Sequence, residues 1–413
     1  MKYIKFLSLL SATVATASKC HPDYECCDNC HSILTDDEGQ WGVKNGQWCF
    51  LDTPKCKAAI DSCKFEALGY ACCSHCDSIY TDADGEWGAE NGQWCGIPDS
   101  CKEPVTEEPS TTKAEKVKYT PTAIWLSWEQ APDYIPFHLS QAADQTTVYI
   151  LYWIPTRDCN SIASQGGAQS MDEYKDYVNR ILKGFESYPD NKIALVIEPD
   201  TLGNMITAQS NDLCKNVHNL HKQAISYAVN TLASLDNVQA YIDAAHGRWL
   251  GPHVDKVADV IKEILDMAPE GKIRGLSTNV SNYQSTKDEY AYHEKLHAAL
   301  EKVGIHDMKF IVDTSRNGVD VAESIAKTGT WCNVKGTGFG ERPRGNPDPV
   351  NMPLLDAYLW LKPGGDSDGS STGDHADPVC SHEDSLLGAG NAGDWFHEYF
   401  VQLVTNANPP IEI

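Results

Sequence analysis

Six aspartates stand where a strand-like apolar run ends or has just ended. Asp158 follows the run 147–154, Asp200 closes Val196-Ile197-Glu198-Pro199-Asp200, Asp243 closes Tyr241-Ile242-Asp243, Asp313 follows 310–312, and Asp366 and Asp368 follow 355–361. Carboxylates gathered in this way suit general acid–base chemistry. A glycosidic oxygen is a poor leaving group that needs a protonated acid beside it, while a second carboxylate activates water or attacks directly. Neighbouring acids raise one another's pKa, which keeps one of them protonated as donor. A strand-end Asp also commonly caps a helix or makes a turn, and that explanation covers some of the six. It leaves Trp249, Trp331, Arg157, Arg274 and Lys362 in the same kinds of segments unaccounted for. Flat aromatic faces on which sugar rings stack, set among acids, point to carbohydrate chemistry.

The elements that must position these residues alternate. Candidate strands at 147–154, 193–197, 238–242, 273–276, 310–312 and 355–361 are interleaved with amphipathic stretches at 171–186, 214–235, 256–267 and 287–303. Alternation of this kind predicts an α/β fold with a parallel sheet, and the length suits a distorted parallel β/α barrel. Such folds collect their active residues at the carboxyl ends of the strands. Five of the six candidate strands are followed by an acid, which places several carboxylates around one mouth. Other chemistries lack their signatures: there is no Gly-x-Ser-x-Gly elbow and no His-Glu-x-x-His zinc motif. His218-x-x-His221 reads as a surface pair, and Gly336-x-Gly338-x-Gly340 has no nucleotide-binding context. No metal and no cofactor is expected.

The chain has 413 residues and a net charge of −25, from 33 basic and 58 acidic residues, which sets nucleic acid aside as a partner. Residues 1–18 read as a signal peptide: Lys2 and Lys5, a short apolar run from Phe6 to Val14, then Ala15-Thr16-Ala17. The run is too short to span a bilayer, and the expectation is a secreted, extracellular protein without a membrane segment. Twelve of the 16 cysteines fall before residue 102, a density that in an oxidising compartment means disulfides stapling small modules.

Those cysteines lie in a repeat. Cys26-Cys27-x2-Cys30-x18-Cys49 recurs 46 residues later as Cys72-Cys73-x2-Cys76-x18-Cys95, and Asn45-Gly46-Gln47-Trp48 recurs as Asn91-Gly92-Gln93-Trp94. Six cysteines per copy leave the pairing unreadable. Zinc is disfavoured by the paired count in a secreted chain. A calcium loop starting at Asp82 would need Gly at its sixth position and Glu at its twelfth, where Trp87 and Gln93 stand. The predicted organisation is a signal peptide at 1–18, cysteine-rich modules at 19–57 and 62–101, a Pro/Ser/Thr/Glu linker at 102–118 and a large domain at 119–413.

The repeat resembles the dockerin modules of anaerobic-fungal plant-cell-wall enzymes. The resemblance implies attachment to the scaffold protein of a fungal cellulosome, through a surface near Asp36, Trp41, Asp82 and Trp87. Two alternatives stand beside it: Trp41 and Trp87 form the module cores, or exposed aromatics bind cellulose. The large domain resembles glycoside hydrolase family 6, cellulases that invert at the anomeric carbon. Its two signature segments appear as Tyr152-x2-Pro155-x-Arg157-Asp158-Cys159 and Val196-Ile197-Glu198-Pro199-Asp200; further matches are Ala244-Ala245-His246-Gly247-x-Trp249, Thr278-Asn279-Val280-Ser281-Asn282-Tyr283, Trp331-Cys332-Asn333 and Trp360-Leu361-Lys362-Pro363-Gly364-Gly365.

The resemblance implies cellulose and cello-oligosaccharides as substrates and Asp200 as proton donor. It leaves the base open between Asp158 and Asp368, with a water chain near Ser164, and gives Asp243 the task of orienting the donor. Trp125, Trp249 and Trp331 become sugar platforms, Tyr152 a neighbour of the distorted sugar, and His246, Asn279, Lys362 and Asp366 further substrate contacts. Cys159–Cys214 and Cys332–Cys380 become the expected disulfides. The sequon Asn279-Val280-Ser281 is expected to be structural and unglycosylated. Pro252 stands where some members carry a distal tryptophan platform. The long Cys332–Cys380 span favours a cellobiohydrolase acting from non-reducing ends through a partly open tunnel. An endoglucanase of the same family is the alternative, and a non-catalytic cellulose-binding or assembly protein a more distant one.

Overall fold

The structure is a computed structural model that describes residues 27, 34–36, 39–44, 47–50, 65, 70–73, 78, 80–81, 85–90, 93–97, 111–142 and 144–412. The chain divides into two units, Met1–Glu107 and Glu108–Ile413. The predicted signal peptide at 1–18 lies outside the described residues.

In the first unit, β1 (Leu34–Asp36), β2 (Gly39–Lys44) and β3 (Gln47–Phe50) form an antiparallel sheet. The second copy has β4 (Ala71–Cys72), β5 (Tyr80–Thr81), β6 (Glu86–Glu90) and β7 (Gln93–Gly96), in the order β4-β7-β6-β5. Cys27 is bonded to Cys49 and Cys73 to Cys95, the same pairing at corresponding positions of the two copies. Each bond ties the strand bearing the last cysteine of its motif to the segment that opens it. A core of Phe65, Cys73, Trp87, Cys95 and Ile97 holds the second copy together. So small a core depends on its disulfides.

The second unit carries an eight-stranded sheet. In chain order its strands are β8 (Ile124–Leu126), β9 (Thr146–Leu151), β10 (Lys192–Ile197), β11 (Val238–Asp243), β12 (Ile273–Thr278), β13 (Lys309–Asp313), β14 (Arg344–Gly345) and β15 (Leu355–Leu359). Their spatial order is β14-β15-β13-β12-β11-β10-β9-β8, all parallel except the two-residue edge strand β14. The sheet curls into a distorted, incompletely closed barrel. At the seam, the Ala123 N–H donates to the Trp360 carbonyl at 3.0 Å and the Trp125 indole N–H to the Leu361 carbonyl at 2.9 Å.

Strand composition follows from this shape. Sheets covered on both faces are apolar along their whole length, and residues alternate between faces. Tyr149, Leu151, Ile193, Leu195, Ile197, Ala240 and Ile242 pack outward against the helices, while Ile150, Tyr152, Val196, Tyr241 and Ile311 fill the interior. The helices Met171–Glu186, Asp212–Leu232, Val254–Asp266 and Thr286–Lys302 form the outer layer. Local signals start three of the four: Ser170, Asn211 and Ser285 each accept a backbone N–H of the first turn on the side chain.

Of the linker read over 102–118, residues 102–110 lie outside the described residues. Thr111–Lys118 is a helix, and Val117 packs against the cluster of Phe339, Trp360, Tyr399 and Leu403. Its Lys- and Glu-rich sequence hides the single apolar anchor that docks it.

Candidate active site

The carboxyl ends of β9 to β12 leave the strand conformation abruptly. Asp158, Glu198, Asp200, Ala245, Asn279 and Ser281 all have φ between 50° and 64°. This left-handed region costs energy for residues other than glycine, and such residues cluster where surrounding structure over-determines them. Here buried carboxylates do so. Asp243, 1% exposed, accepts the Asp200 and Ala245 backbone N–H groups on one oxygen, both at 3.0 Å, and the Ser277 hydroxyl on the other. Glu198 accepts from the backbone N–H groups of Trp153 and Ile154, each at 3.2 Å. Asp313 accepts four backbone N–H groups, from Ser281, Ser315, Leu361 and Lys362. Asp243 and Asp313 therefore shape the mouth, and Asp313 has no capacity left for substrate.

Asp200 differs from these. It sits at the start of the helix Thr201–Thr207, yet its side chain caps nothing, and among the described residues its carboxyl accepts no hydrogen bond. Burial, and then the charges of Asp158, Asp243 and Asp368, push its pKa well up. A carboxyl so placed favours its protonated form and leaves its oxygens free among the described residues.

Asp158 is held on one side. Its Oδ2 accepts from the Tyr152 hydroxyl and, at 2.5 Å, from the Ser164 hydroxyl. Burial raises its pKa, against the hydrogen bonds from Ser164 and Tyr152 and the nearby Arg157 charge. Arg157 braces this turn: it lies over the Tyr152 ring at 4.2 Å and donates to the carbonyls of Tyr152, Ser127 and Ser164.

Asp368 is the opposite case. Arg316 donates to both of its oxygens at 2.7 and 2.8 Å, the Tyr283 hydroxyl and the Asn333 N–H donate to Oδ2, and Lys362 Nζ lies 3.4 Å from Oδ1. Although burial works the other way, Arg316 and Lys362 bring its pKa below the ordinary value. Arg316 is itself 1% exposed and covered by the Tyr283 ring at 4.4 Å.

Of the aromatic candidates, Trp125 is half-buried and meets Tyr152 edge-on at 5.3 Å. Trp249 is half-buried and donates from its indole to Thr207; its ring lies against Gly203, where an added Cβ would come within 2.7 Å. Trp331 is half-buried, and its carbonyl lies 2.9 Å from the Tyr283 hydroxyl oxygen, sharing with Asp368 that hydroxyl's one proton. His246 lies 6.0 Å from Trp249. Lys362 donates to the Ser367 carbonyl at 2.9 Å, and Asp366 is partly exposed.

Three expectations are corrected. His221, read as one of a surface pair, is 2% exposed, and its Nε2 lies 2.7 Å from the Pro155 carbonyl, so it is a core residue. Asn279, read as a substrate contact, is 0% exposed; its amide donates to the Gln284 and Asp313 carbonyls and its oxygen accepts from the Gln284 N–H, so it cannot reach a sugar. Trp87, read as part of a docking surface, is 6% exposed and packed edge-on against Phe65 at 4.6 Å, which makes it a core residue. The exposed aromatics of that module are Tyr70, Tyr80 and Trp94, which with one edge of Trp87 line a cavity of about 190 Å³. The side chains of Asp36, Trp41 and Asp82 lie outside the described residues.

Sequence reading missed Arg316 and Asp377. Arg316 carried a signal, a lone cation three residues after a strand-end Asp. Asp377 carried none beyond standing three residues before Cys380.

Disulfides Cys159–Cys214 and Cys332–Cys380 brace the two loops that flank these carboxylates. The loops touch: Asp377 accepts from the Ile162 N–H at 3.1 Å and the Ser161 hydroxyl at 3.3 Å.

Comparison with known proteins agrees with this geometry. The family "Glycosyl hydrolases family 6" matches residues 89–407, and "Cellulose or protein binding domain" matches residues 19–51 and 62–97. A "Probable 1,4-beta-D-glucan cellobiohydrolase C" of Neosartorya fischeri is 36% identical over 329 residues, covering 72% of each chain. A solved "GH6 Orpinomyces sp. Y102 enzyme" is 54% identical, with a TM-score of 0.67 over 72% of this chain and 90% of that one. "Cellobiohydrolase II (Cel6A) from Humicola insolens in complex with glucose and cellotetraose" is 34% identical, with a TM-score of 0.68 over 74% of this chain and 93% of the other. With more than half its length matched by the family and its strand-end acids gathered at one mouth, this chain belongs to the glycosyl hydrolases of family 6.

Proposed function

We propose that the protein is a secreted cellobiohydrolase that cleaves β-1,4-glucosidic bonds of cellulose from non-reducing chain ends, with inversion at the anomeric carbon. The observation that carries this reading is Asp200: a carboxyl kept protonated by burial and three flanking acids, without a hydrogen-bond partner among the described residues, beside loops that touch. Asp200 gives its proton to the leaving glycosidic oxygen. Water attacks the anomeric carbon from the other face and passes its proton through the Ser164 hydroxyl to Asp158, so that Asp158 becomes neutral as Asp200 becomes ionised. Asp158 suits this better than Asp368, because a carboxylate already paired with Arg316 and Lys362 is a poor proton acceptor. In this reading Asp368 holds its loop and supplies negative charge, Asp243 fixes the Asp200 backbone, and Tyr152 orients Asp158. Trp125, Trp249 and Trp331 stack on sugar rings, and His246, Lys362 and Asp366 line the path. Loops that meet over the site favour threading of a chain end over landing in mid-chain. The decisive experiment follows the anomer and length of the first products from cello-oligosaccharides and amorphous cellulose. An α-anomer and mainly cellobiose are expected; a β-anomer, or a spread of long products, overturns the inverting or the exo assignment respectively.

We also propose that the two cysteine-rich modules dock the enzyme to a scaffold protein of a multi-enzyme complex. The exposed Tyr70, Tyr80 and Trp94 of the second module support a binding face. Pull-down by a scaffold module should survive deletion of residues 119–413. Binding to cellulose in place of the scaffold would assign the modules to the polysaccharide.

A further inference from the structure

The two loops that flank the site carboxylates are joined through one carboxylate. Asp377 is 5% exposed, and no step of the reaction uses it. Its Oδ2 takes the Ile162 N–H and the Ser161 hydroxyl from the opposite loop, while its Oδ1 accepts the Val379 N–H at 3.0 Å and caps the short turn Pro378–Ser381. One group therefore holds its own loop in shape and grips the facing one. Both ends of the grip are anchored. Ile162 lies three residues from Cys159 and Asp377 three from Cys380. Asn211 donates to the Cys159 carbonyl at 3.2 Å, and the Asp377 N–H donates to the Ser370 carbonyl at 3.0 Å. The loops also meet at Gly369, with φ +155°, where an added Cβ would fall 2.7 Å from that of Ala163. That contact is steric and apolar. Among the described residues, the hydrogen bonds that fix register between the two loops are those of Asp377.

We propose that Asp377 is a specificity-determining latch: by joining the Ser161–Ile162 segment to the turn at Pro378, it keeps the cleft roofed and confines the enzyme to chain ends. The inference rests on the exo reading above. Breaking the latch leaves the acids in place and lets the loops part, so that an internal stretch of cellulose enters from the side. Removing a hydrogen bond to an ionised group shifts an opening equilibrium by about tenfold.

The test compares wild type, Asp377→Ala and Ser161→Ala in the full chain. Two readouts serve: viscosity loss of carboxymethylcellulose per reducing end formed, and kcat/KM on cellotetraose. In Asp377→Ala the viscosity ratio is expected to rise on the order of tenfold, with cellotetraose hydrolysis unchanged. Ser161→Ala, which removes one of the two grips, should move the ratio in the same direction by less. An unchanged ratio in both variants overturns the latch. Loss of cellotetraose hydrolysis in Asp377→Ala also overturns it, since the carboxylate would then be supporting the site itself. Rapid viscosity loss by the wild type fails the exo reading instead and is seen before any variant is compared.

Discussion

The backbone N–H of Asp200 donates to the buried carboxylate of Asp243 at 3.0 Å, and the same oxygen accepts the Ala245 N–H at 3.0 Å. One acid thus holds the main chain that carries another in a left-handed turn at φ 64°, and its charge adds to the repulsion that keeps that other acid protonated.

From this follows the behaviour of the donor. Asp200→Ala should lower kcat on cellulose by about 10²–10⁴-fold, the usual worth of a general acid, while an aryl cellobioside with a good leaving group keeps most of its rate. The pH profile carries a sign as well. The donor works protonated, so activity falls as pH rises through its pKa. In Asp158→Asn the largest charge acting on Asp200 is gone, its pKa drops, and the alkaline limb of the residual kcat/KM on cellotetraose moves to lower pH.

Arg316 and Asp368 form a buried pair at 2.7 Å, with side chains 1% and 7% exposed. Removing one partner of such a pair strands the other. Arg316→Ala should cost about 3–5 kcal/mol of stability, read from denaturant midpoints, and should raise the Asp368 pKa toward that of a buried acid. Asp368→Asn should cost as much or more, because it strands two cations, the buried Arg316 and Lys362, without their shared anion.

Stability should depend on pH in two regimes. His221 and His246 are pushed down to about 4 and His293 to about 3 by burial, so between pH 4 and 6.5 the unfolded chain binds the extra protons and stability rises with pH. Glu198 and Glu289 are pushed up to about 8, and Asp243 to about 6, by burial, so in their ranges the folded chain binds the extra protons and stability falls with pH. Below about pH 6 the lowered histidines and the raised acids oppose one another. From 6.5 to 8 the histidines no longer oppose the glutamates and the raised Asp200, and the melting temperature should decline. Glu289→Gln should reduce that slope by about one proton, and an unchanged slope would remove Glu289 from the account.

The sheet was legible because buried parallel strands are apolar throughout and acids follow most of their ends, so β9 to β11, β13 and β15 appear as apolar runs followed by Asp, and β12 as such a run without one. β8 was not, since Ile124–Leu126 is three residues long and precedes the alternation. The site was legible by residue type, but the division of labour was not. Asp200, Asp243, Asp313 and Asp368 look alike as letters. Their roles depend on whether the neighbours are backbone N–H groups, an arginine or nothing. Asn279 misled because its motif lies at a strand end like the others, while its amide is consumed by the turn it builds.

The final prediction concerns the proton's route. The Ser164 hydroxyl donates to Asp158 at 2.5 Å, so its oxygen lone pairs are left to accept from a water. Ser164→Ala removes both halves of that relay. The lost hydrogen bond had favoured the ionised carboxylate, so the Asp158 pKa rises. A base works ionised, so the acid limb of the pH profile moves to higher pH. Loss of a proton path slows the chemical step without weakening the stacking contacts, so kcat should fall with KM little changed. A change in KM alone would make Ser164 a substrate contact and return the base to Asp368.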